Sequence, residues 1–454
     1  MEKKKTYQEA VDFLESLINI PVPEYFFTAK GERRKITERK IFIKRLNYLL
    51  KLINNPEENL KFIHITGTAG KTSTTFFVSS ILQAAGFKVG SFISPHITSI
   101  TERIRLGDKF IASEELSEIV EYLKPYLTQC AVSSPHGCPS FFETMLAVAF
   151  VYFKNNKCDY VVLEAGCGGL LDATNVIKKT EVAIITNVGL DHTSSLGETK
   201  EAIALDKAGI IKRGCLFFTA ERNEKIYKIF EKICQTKKVP FRRINGDYKI
   251  LKNDLTGTEF EYEREIFKTK LIGEHQAGNA VLAFEAVREI IGDNYKAMKK
   301  GVAEVFVPCR LEKMPDEQLI ILDGAHNVDK MKTTANFVKR FKYCRLHLIV
   351  GLAANKDADG ILKEIVPLAD EIYLTRFLHN RRRSQYFRKM KISANKFSKK
   401  KTSLFIDPQE ALLTTRKNAG PQDLILVTGS FFLTGELRSN WYSEDYILKK
   451  RKMI

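Results

Sequence analysis

Between the apolar run Phe62-Ile63-His64-Ile65 and a helical pattern from Thr72 to Ala85 stands Thr66-Gly67-Thr68-Ala69-Gly70-Lys71-Thr72-Ser73. Glycines in such a turn let successive backbone N–H groups face one anion. The helix that follows adds the positive end of its dipole, and a lysine neutralises terminal phosphate charge. Gly67, Thr68, Ala69, Gly70, Lys71 and Thr72 are therefore expected to cradle a nucleoside triphosphate. The general phosphate-loop pattern has a further glycine where this chain has Ile65, so the match is to a shorter Gly-x-x-Gly-Lys-Thr variant.

Glu164 ends a second apolar run and opens the glycine-rich stretch Ala165-Gly166-Cys167-Gly168-Gly169. A strand-end carboxylate beside a phosphate loop can bind the hard cation that phosphoryl transfer needs, so Glu164 is the expected metal ligand. Asn187-Val188-Gly189-Leu190-Asp191-His192 follows the next apolar run, at the edge where open α/β sheets bind ligands. Spacing alone leaves His192 either a metal ligand or a structural histidine. It leaves Lys207, in Lys207-Ala208-Gly209-Ile210-Ile211-Lys212, as a lysine near a helix end. Asp323-Gly324-Ala325-His326-Asn327 and Thr428-Gly429-Ser430 repeat the strand-end arrangement further along. Together they imply a cleft with ATP held from both sides, although each string alone is also ordinary turn chemistry.

Positioning these groups requires short buried strands alternating with helices. The runs Tyr160–Leu163, Val182–Ile185 and Leu216–Phe218 continue the first strand, with Gly86 closing the first helix. From Phe241 to Ile272 the apolar period shortens to two, as in an antiparallel meander. Helices at 275–291 and 295–305 lead to Pro308 and Pro315. The alternation then restarts at Leu319–Leu322, Leu346–Val350, Glu371–Leu374 and Leu424–Val427. The expected fold class is α/β: a mostly parallel-sheet ATP-binding domain of the phosphate-loop type over 1–306, then a smaller Rossmann-like α/β domain over 307–454. The basic stretch from Arg381-Arg382-Arg383 to Lys401 is expected as a surface loop and helix.

The 454 residues, 44% hydrophobic and 28% charged, exclude a stapled mini-protein and a disordered chain. Eight cysteines without a Cys-x-x-Cys pair indicate neither a zinc site nor a disulfide framework, which fits a reduced cytoplasmic location. The longest apolar run, Met145 to Phe153, is about half the ~20 residues of a membrane span, so no membrane partner is expected. The net charge of +18 admits an acidic partner. A nucleic-acid-stimulated ATPase would need a second motif or basic-aromatic interleaving, and neither is present, so no nucleic-acid partner is expected.

The ordered strings Tyr7-Gln8-Glu9-Ala10, Ile63 to Lys71, Ser94-Pro95-His96, Leu163 to Asn175, Thr186 to His192, Lys207 to Lys212, His275 to Ala280, Arg310-Leu311-Glu312, Asp323 to Asn327 and Thr428-Gly429-Ser430 resemble the Mur ligase superfamily. Within it they resemble the folylpolyglutamate synthase/dihydrofolate synthase branch. That resemblance implies an ATP-dependent ligase that adds L-glutamate to dihydropteroate, to reduced folates, or to both, through an acyl phosphate. It places magnesium on Ser94, Glu164 and His192, and ATP on the phosphate loop together with Asn279, Arg310 and Asp323. It makes Lys71 and Lys207 catalytic, Lys207 as a carbamylated lysine, and puts His326 near the incoming amino acid. The implied partners are small molecules only, and the implied state is a monomer. The Ala69-Gly70-Lys71-Thr72-Ser73 loop is also similar to that of the peptidoglycan-precursor ligases, which keeps that reaction as an alternative.

Overall fold

The computed structural model describes residues 2–19, 39–378 and 383–452. Seventeen strands are found among them. They are β1 (Phe62–Thr66), β2 (Val89–Phe92), β3 (Ile104–Leu106), β4 (Lys109–Phe110), β5 (Tyr160–Glu164), β6 (Val182–Ile185), β7 (Leu216–Thr219), β8 (Phe241–Arg243), β9 (Tyr248–Asp254), β10 (Gly257–Tyr262) and β11 (Glu265–Thr269), followed by β12 (Glu312–Lys313), β13 (Leu319–Asp323), β14 (Leu346–Val350), β15 (Glu371–Leu374), β16 (Thr402–Leu404) and β17 (Leu424–Thr428).

The first sheet runs β4-β3-β2-β5-β1-β6-β7-β8. All neighbours are parallel except the β2–β3 and β3–β4 pairs. Every residue of β1 is buried, as expected of a central strand covered on both faces, and its apolar run accordingly shows no alternation. One face carries helices Glu2–Ser16, Lys40–Leu52, Ser113–Ser133 and Phe141–Asn155 in a shared apolar core. The opposite face carries helix Lys71–Ala84, which packs against helices Glu274–Ile291 and Tyr295–Glu304. The meander is the separate three-stranded sheet β11-β10-β9.

The meander begins later than its sequence suggests. Phe241 belongs to β8, which continues the large sheet in parallel with β7. The Phe241 ring stacks on Phe217 at 5.2 Å and lies 5.1 Å from Tyr227, and this aromatic seam draws the segment to the sheet edge.

The second sheet, β12-β13-β17-β14-β15-β16, is parallel apart from the β12–β13 pair and has apolar cores on both faces. Of the basic stretch, Arg381 and Arg382 lie outside the described residues; helix Phe387–Phe397 follows. The chain then returns to the first domain. The Phe110 N–H donates to the Arg451 carbonyl at 2.7 Å, and Tyr7 donates to Glu444 at 3.0 Å. No helix among the described residues is long and apolar enough to cross a membrane.

Candidate active site

Helix Lys71–Ala84 starts directly after Gly70, whose φ of 80° lies in the left-handed region that favours glycine. A Cβ at Gly70 would stand 2.5 Å from Asn279 Oδ1, and one at Gly67 would stand 1.8 Å from Thr186 Oγ1. Both glycines are therefore required by close approach as well as by conformation. The segment after β6 pins the loop: Ala69 N–H donates to Asn187 Oδ1 at 3.0 Å, Gly189 N–H to Thr68 Oγ1 at 2.9 Å, and Thr186 Oγ1 to the Ala69 carbonyl at 2.6 Å. Lys71 Nζ donates to the Gly67 carbonyl at 2.8 Å.

Glu164 is 1% exposed at the end of β5. Thr72 Oγ1 donates to its Oε1 at 2.8 Å and Ser94 N–H to its Oε2 at 3.4 Å. Burial raises the carboxyl pKa, while Lys71, these donors and Arg310 oppose the rise. A desolvated carboxylate beside the Thr72 hydroxyl and the Ser94 backbone suits a hard cation. His192 opens onto the same cleft with a φ of 51°. Desolvation, together with the nearby charges of Lys356, Lys71 and Lys207, presses its imidazole down to about 4 against the pull of Asp191. That favours the neutral ring a metal requires. Among the described residues no cluster of three His, Cys, Asp or Glu forms a ready-made metal cage.

The second domain forms the facing wall of a cleft of about 580 Å³. His326 Nδ1 donates to the Gly324 carbonyl at 2.8 Å, which leaves Nε2 to accept from Lys330 Nζ at 3.2 Å. The imidazole meets the Phe431 ring at 5.5 Å, and the Arg310 guanidinium lies 4.4 Å from the same ring. Lys356 Nζ donates to Asp191 Oδ1 at 3.1 Å and Asn327 Nδ2 to Asp191 Oδ2 at 3.3 Å, so at the cleft one carboxylate bridges the two domains. The geometry is that of an anion-handling site made where the C-terminal strand edges of two α/β sheets oppose each other.

The Mur ligase middle domain matches residues 65–287 and the Mur ligase glutamate ligase domain matches residues 309–431. The chain is 31% identical over 408 residues to the dihydrofolate synthase/folylpolyglutamate synthase of Bacillus subtilis, covering 87% of this chain and 93% of that protein. The chain belongs to the folylpolyglutamate synthase/dihydrofolate synthase family of Mur ligases. The folylpolyglutamate synthase of Thermotoga maritima superposes with a TM-score of 0.79 at 29% identity, over 96% of this chain and 97% of that one. The Mycobacterium tuberculosis folylpolyglutamate synthase, crystallised with ADP and AMPPCP, superposes with a TM-score of 0.84 at 26% identity, over 97% and 99% of the two chains. The chain is accordingly an ATP-dependent ligase of Mur architecture.

In this synthase-family chain the cleft brings together Thr68, Ala69, Gly70, Lys71, Thr72, Ser94, Glu164, His192, Arg310 and His326. The other residues singled out from sequence stand behind its walls. Gly67 is packed on Thr186, and Asn279 Nδ2 donates to Gln276 Oε1 at 3.0 Å from beside Gly70. Asp323 accepts from Leu311 N–H at 3.1 Å, Ala325 N–H at 3.1 Å and Thr334 Oγ1 at 2.6 Å, so its carboxylate organises the turn after β13. Lys207 ends helix Lys200–Lys207 and is buried rather than solvated. Burial first, then Lys71, lowers its amine to about 7, against Cys167, Asp206 and Asp191.

Arg39, Lys330 and Lys356 line the cleft without having been expected. Lys330 follows His326 by one helical turn and Lys356 lies in the loop after β14, so strand-end position was an available signal for both. Arg39 had none. It donates to the Cys167 carbonyl at 3.0 Å and to Asp206 at 3.4 Å, across more than a hundred residues of chain.

Proposed function

We propose that this chain couples L-glutamate in amide linkage to dihydropteroate, to reduced folates, or to both, with ATP cleaved to ADP and phosphate. The observation that supports it best is the two-sided cleft. The phosphate loop, Glu164 and Ser94 form one wall, and His326, Lys330 and Lys356 of the matched glutamate ligase domain form the other. A carboxylate is a poor electrophile until one oxygen leaves as phosphate. The acceptor carboxylate therefore attacks the γ-phosphorus, ADP departs, and the glutamate amine displaces phosphate from the acyl carbon.

Two anions must approach for the first step, and the chain's own cations screen them. We assign Lys71 and the backbone from Thr68 to Thr72 to the phosphates. Arg310 approaches the nucleotide from the second domain, with Gly67 and Asn279 shaping the loop. Asp323 acts through the turn it holds, and His326 lies beside the incoming amino acid. Magnesium would be held by Ser94, Glu164 and His192, and when bound it supplies charge neutralisation between phosphate oxygens. Lys207, held near neutrality, fits a carbamate, in which CO2 adds to the free amine, a proton leaves, and a cation becomes an anion. The cleft continues past Phe142 and Leu171 to the buried Glu143, whose Oε1 has no protein partner among the described residues. An apolar slot with one carboxyl acceptor suits a flat heteroaromatic ring bearing N–H donors.

We divide the chain at 306/307, take the working unit to be a monomer, and place it in the cytoplasm, where its eight free thiols stay reduced. The deciding experiment incubates purified protein with ATP, magnesium, L-glutamate and either pterin substrate. ADP release with a product heavier by one glutamyl residue is expected. Turnover with a UDP-muramoyl substrate and none with either pterin would reverse the assignment.

A further inference from the structure

Besides Arg39, which is paired with Asp206, and Arg103, which donates to His96 Nδ1 and lies over the Phe141 ring, the cleft gathers the cations Lys71, Arg310, Lys330 and Lys356, together with the carboxylates Glu143, Glu164, Asp172 and Asp191. Lys356 is paired with Asp191 at 3.1 Å. Arg310 is stacked on Phe431 and feels Asp323 and Glu164. That leaves Lys71 and Lys330, neither of which has an ion-pair partner among the described residues. Lys71 belongs to the phosphate loop of the first domain. Lys330 belongs to the second domain, where the one hydrogen bond of its Nζ among the described residues is to the neutral acceptor His326 Nε2, at 3.2 Å. It stands in the first turn of helix Val328–Val338, whose N-terminus is capped by the Asn327 side chain and contributes positive dipole.

A lysine so enclosed is strongly disfavoured without a counter-charge. Its amine is pressed well below the usual range by burial, then by Arg310 and Lys71, with Asp191, already paired to Lys356, pulling the other way. The reaction brings two kinds of anion, the phosphates and the carboxylates of its organic substrates. The unpaired cations divide one to each domain. The phosphate loop takes the first kind with Lys71, and the wall that carries Lys330 lies in the region matched by the glutamate ligase domain.

We propose that Lys330, oriented by the acceptor nitrogen of His326, binds a carboxylate of the incoming amino acid and so selects an acidic amino acid over its neutral isostere. This rests on the glutamate-ligase reading above. The carboxylate supplies the missing counter-charge to Nζ, and His326 fixes where that charge sits.

The test compares wild type with Lys330→Met and Lys330→Arg in steady-state ADP release. Loss of a buried charge partner should raise the KM for L-glutamate on the order of tenfold or more, with the KM for ATP changed less than about threefold. The arginine variant should recover most of the loss. Preference for L-glutamate over L-glutamine should shrink in the methionine variant by a similar factor. An unchanged KM for L-glutamate, or a rise confined to ATP, overturns the proposal. Should Lys330→Met fail to fold, wild type still decides: glutarate should compete with L-glutamate and not with ATP, whereas glutaramide should not compete. Glutarate without effect, or competing with ATP, counts against the assignment. Wild type that releases no ADP with L-glutamate and any pterin substrate would instead defeat the parent reading.

Discussion

Lys71 makes its one hydrogen bond among the described residues to the Gly67 carbonyl, so its charge contributes little to folding and remains available to a phosphate. Lys71→Met should therefore lower kcat by roughly 100-fold or more, the scale seen when one transition-state charge donor is removed, while shifting stability by only about 0.5 kcal/mol. ADP-release kinetics and a thermal melt check the two halves. Lys207 is the opposite case. Its amine titrates near 10.5 in the unfolded chain and about 7 when folded, so between those values the unfolded chain holds the extra proton. The burial penalty is full below about 7 and is relieved as pH rises toward 10.5, so stability contributed at this site increases with pH. Urea unfolding of wild type against Lys207→Met in CO2-free buffer should show the difference climbing by up to about 1.4 kcal/mol per pH unit in that window. A flat difference would mean that the lysine stays charged when buried.

At the scale of elements, Arg310 reaches the cleft because the turn before β12 is clamped from behind. Cys309 and Leu311 both have positive φ, 54° and 50°. Cys309 N–H donates to Glu312 Oε2 at 2.8 Å, and Arg438, from helix Phe431–Arg438, donates to both oxygens of Glu312 at 3.0 and 2.9 Å. The pair is 1% and 3% exposed, so Glu312→Gln removes the carboxylate bonded to a buried guanidinium. A loss of about 3 kcal/mol in unfolding free energy is expected, with a higher KM for ATP as Arg310 loses its aim; denaturant titration and kinetics measure these separately. The clamp also shows what sequence conveys. Arg310-Leu311-Glu312 was visible as a string, but not its partner Arg438, because contacts that distant leave no periodic trace. Central strands such as β1, β6 and β14 were legible because burial on both faces makes them continuous apolar runs. Short pieces at or next to the sheet edges, such as β3, β4, β8 and β16, were not, since two or three residues lack both length and pattern. Glu164 and the phosphate loop were legible because both sit at strand ends. The turn-filling role of Asp323 was hidden by the same rule, which marks a strand end without saying which way its side chain faces.

Over the whole molecule, both sheets present their C-terminal edges to one cleft, and the described contacts across it converge on Asp191. The segment 186–189 that grips the phosphate loop runs directly into Asp191, and Asp191 grips Asn327 and Lys356 of the second domain. Loop geometry and domain docking thus share one stretch of backbone. The Lys356–Asp191 pair is well shielded, with side chains 15% and 12% exposed, so salt should screen it less than an exposed pair. The two domains also meet elsewhere: a Cβ at Gly435 would stand 2.5 Å from the Ile97 carbonyl, and the tail returns through Arg451 to Phe110. Asp191→Asn should therefore leave both domains folded and loosen only the approach of the second wall. The expected result is a fall in kcat/KM on the order of tenfold, because misplacing a reacting group by even an ångström slows a bimolecular step. The cycle formed with Lys356→Met isolates the bridge itself. If Asp191 and Lys356 act together in the working enzyme, the double variant should be less impaired than the sum of the singles, with a coupling of about 1–3 kcal/mol that persists in high salt. Additive losses would mean that each residue serves a substrate independently and that the cleft closes through the Gly435 and Arg451 contacts instead.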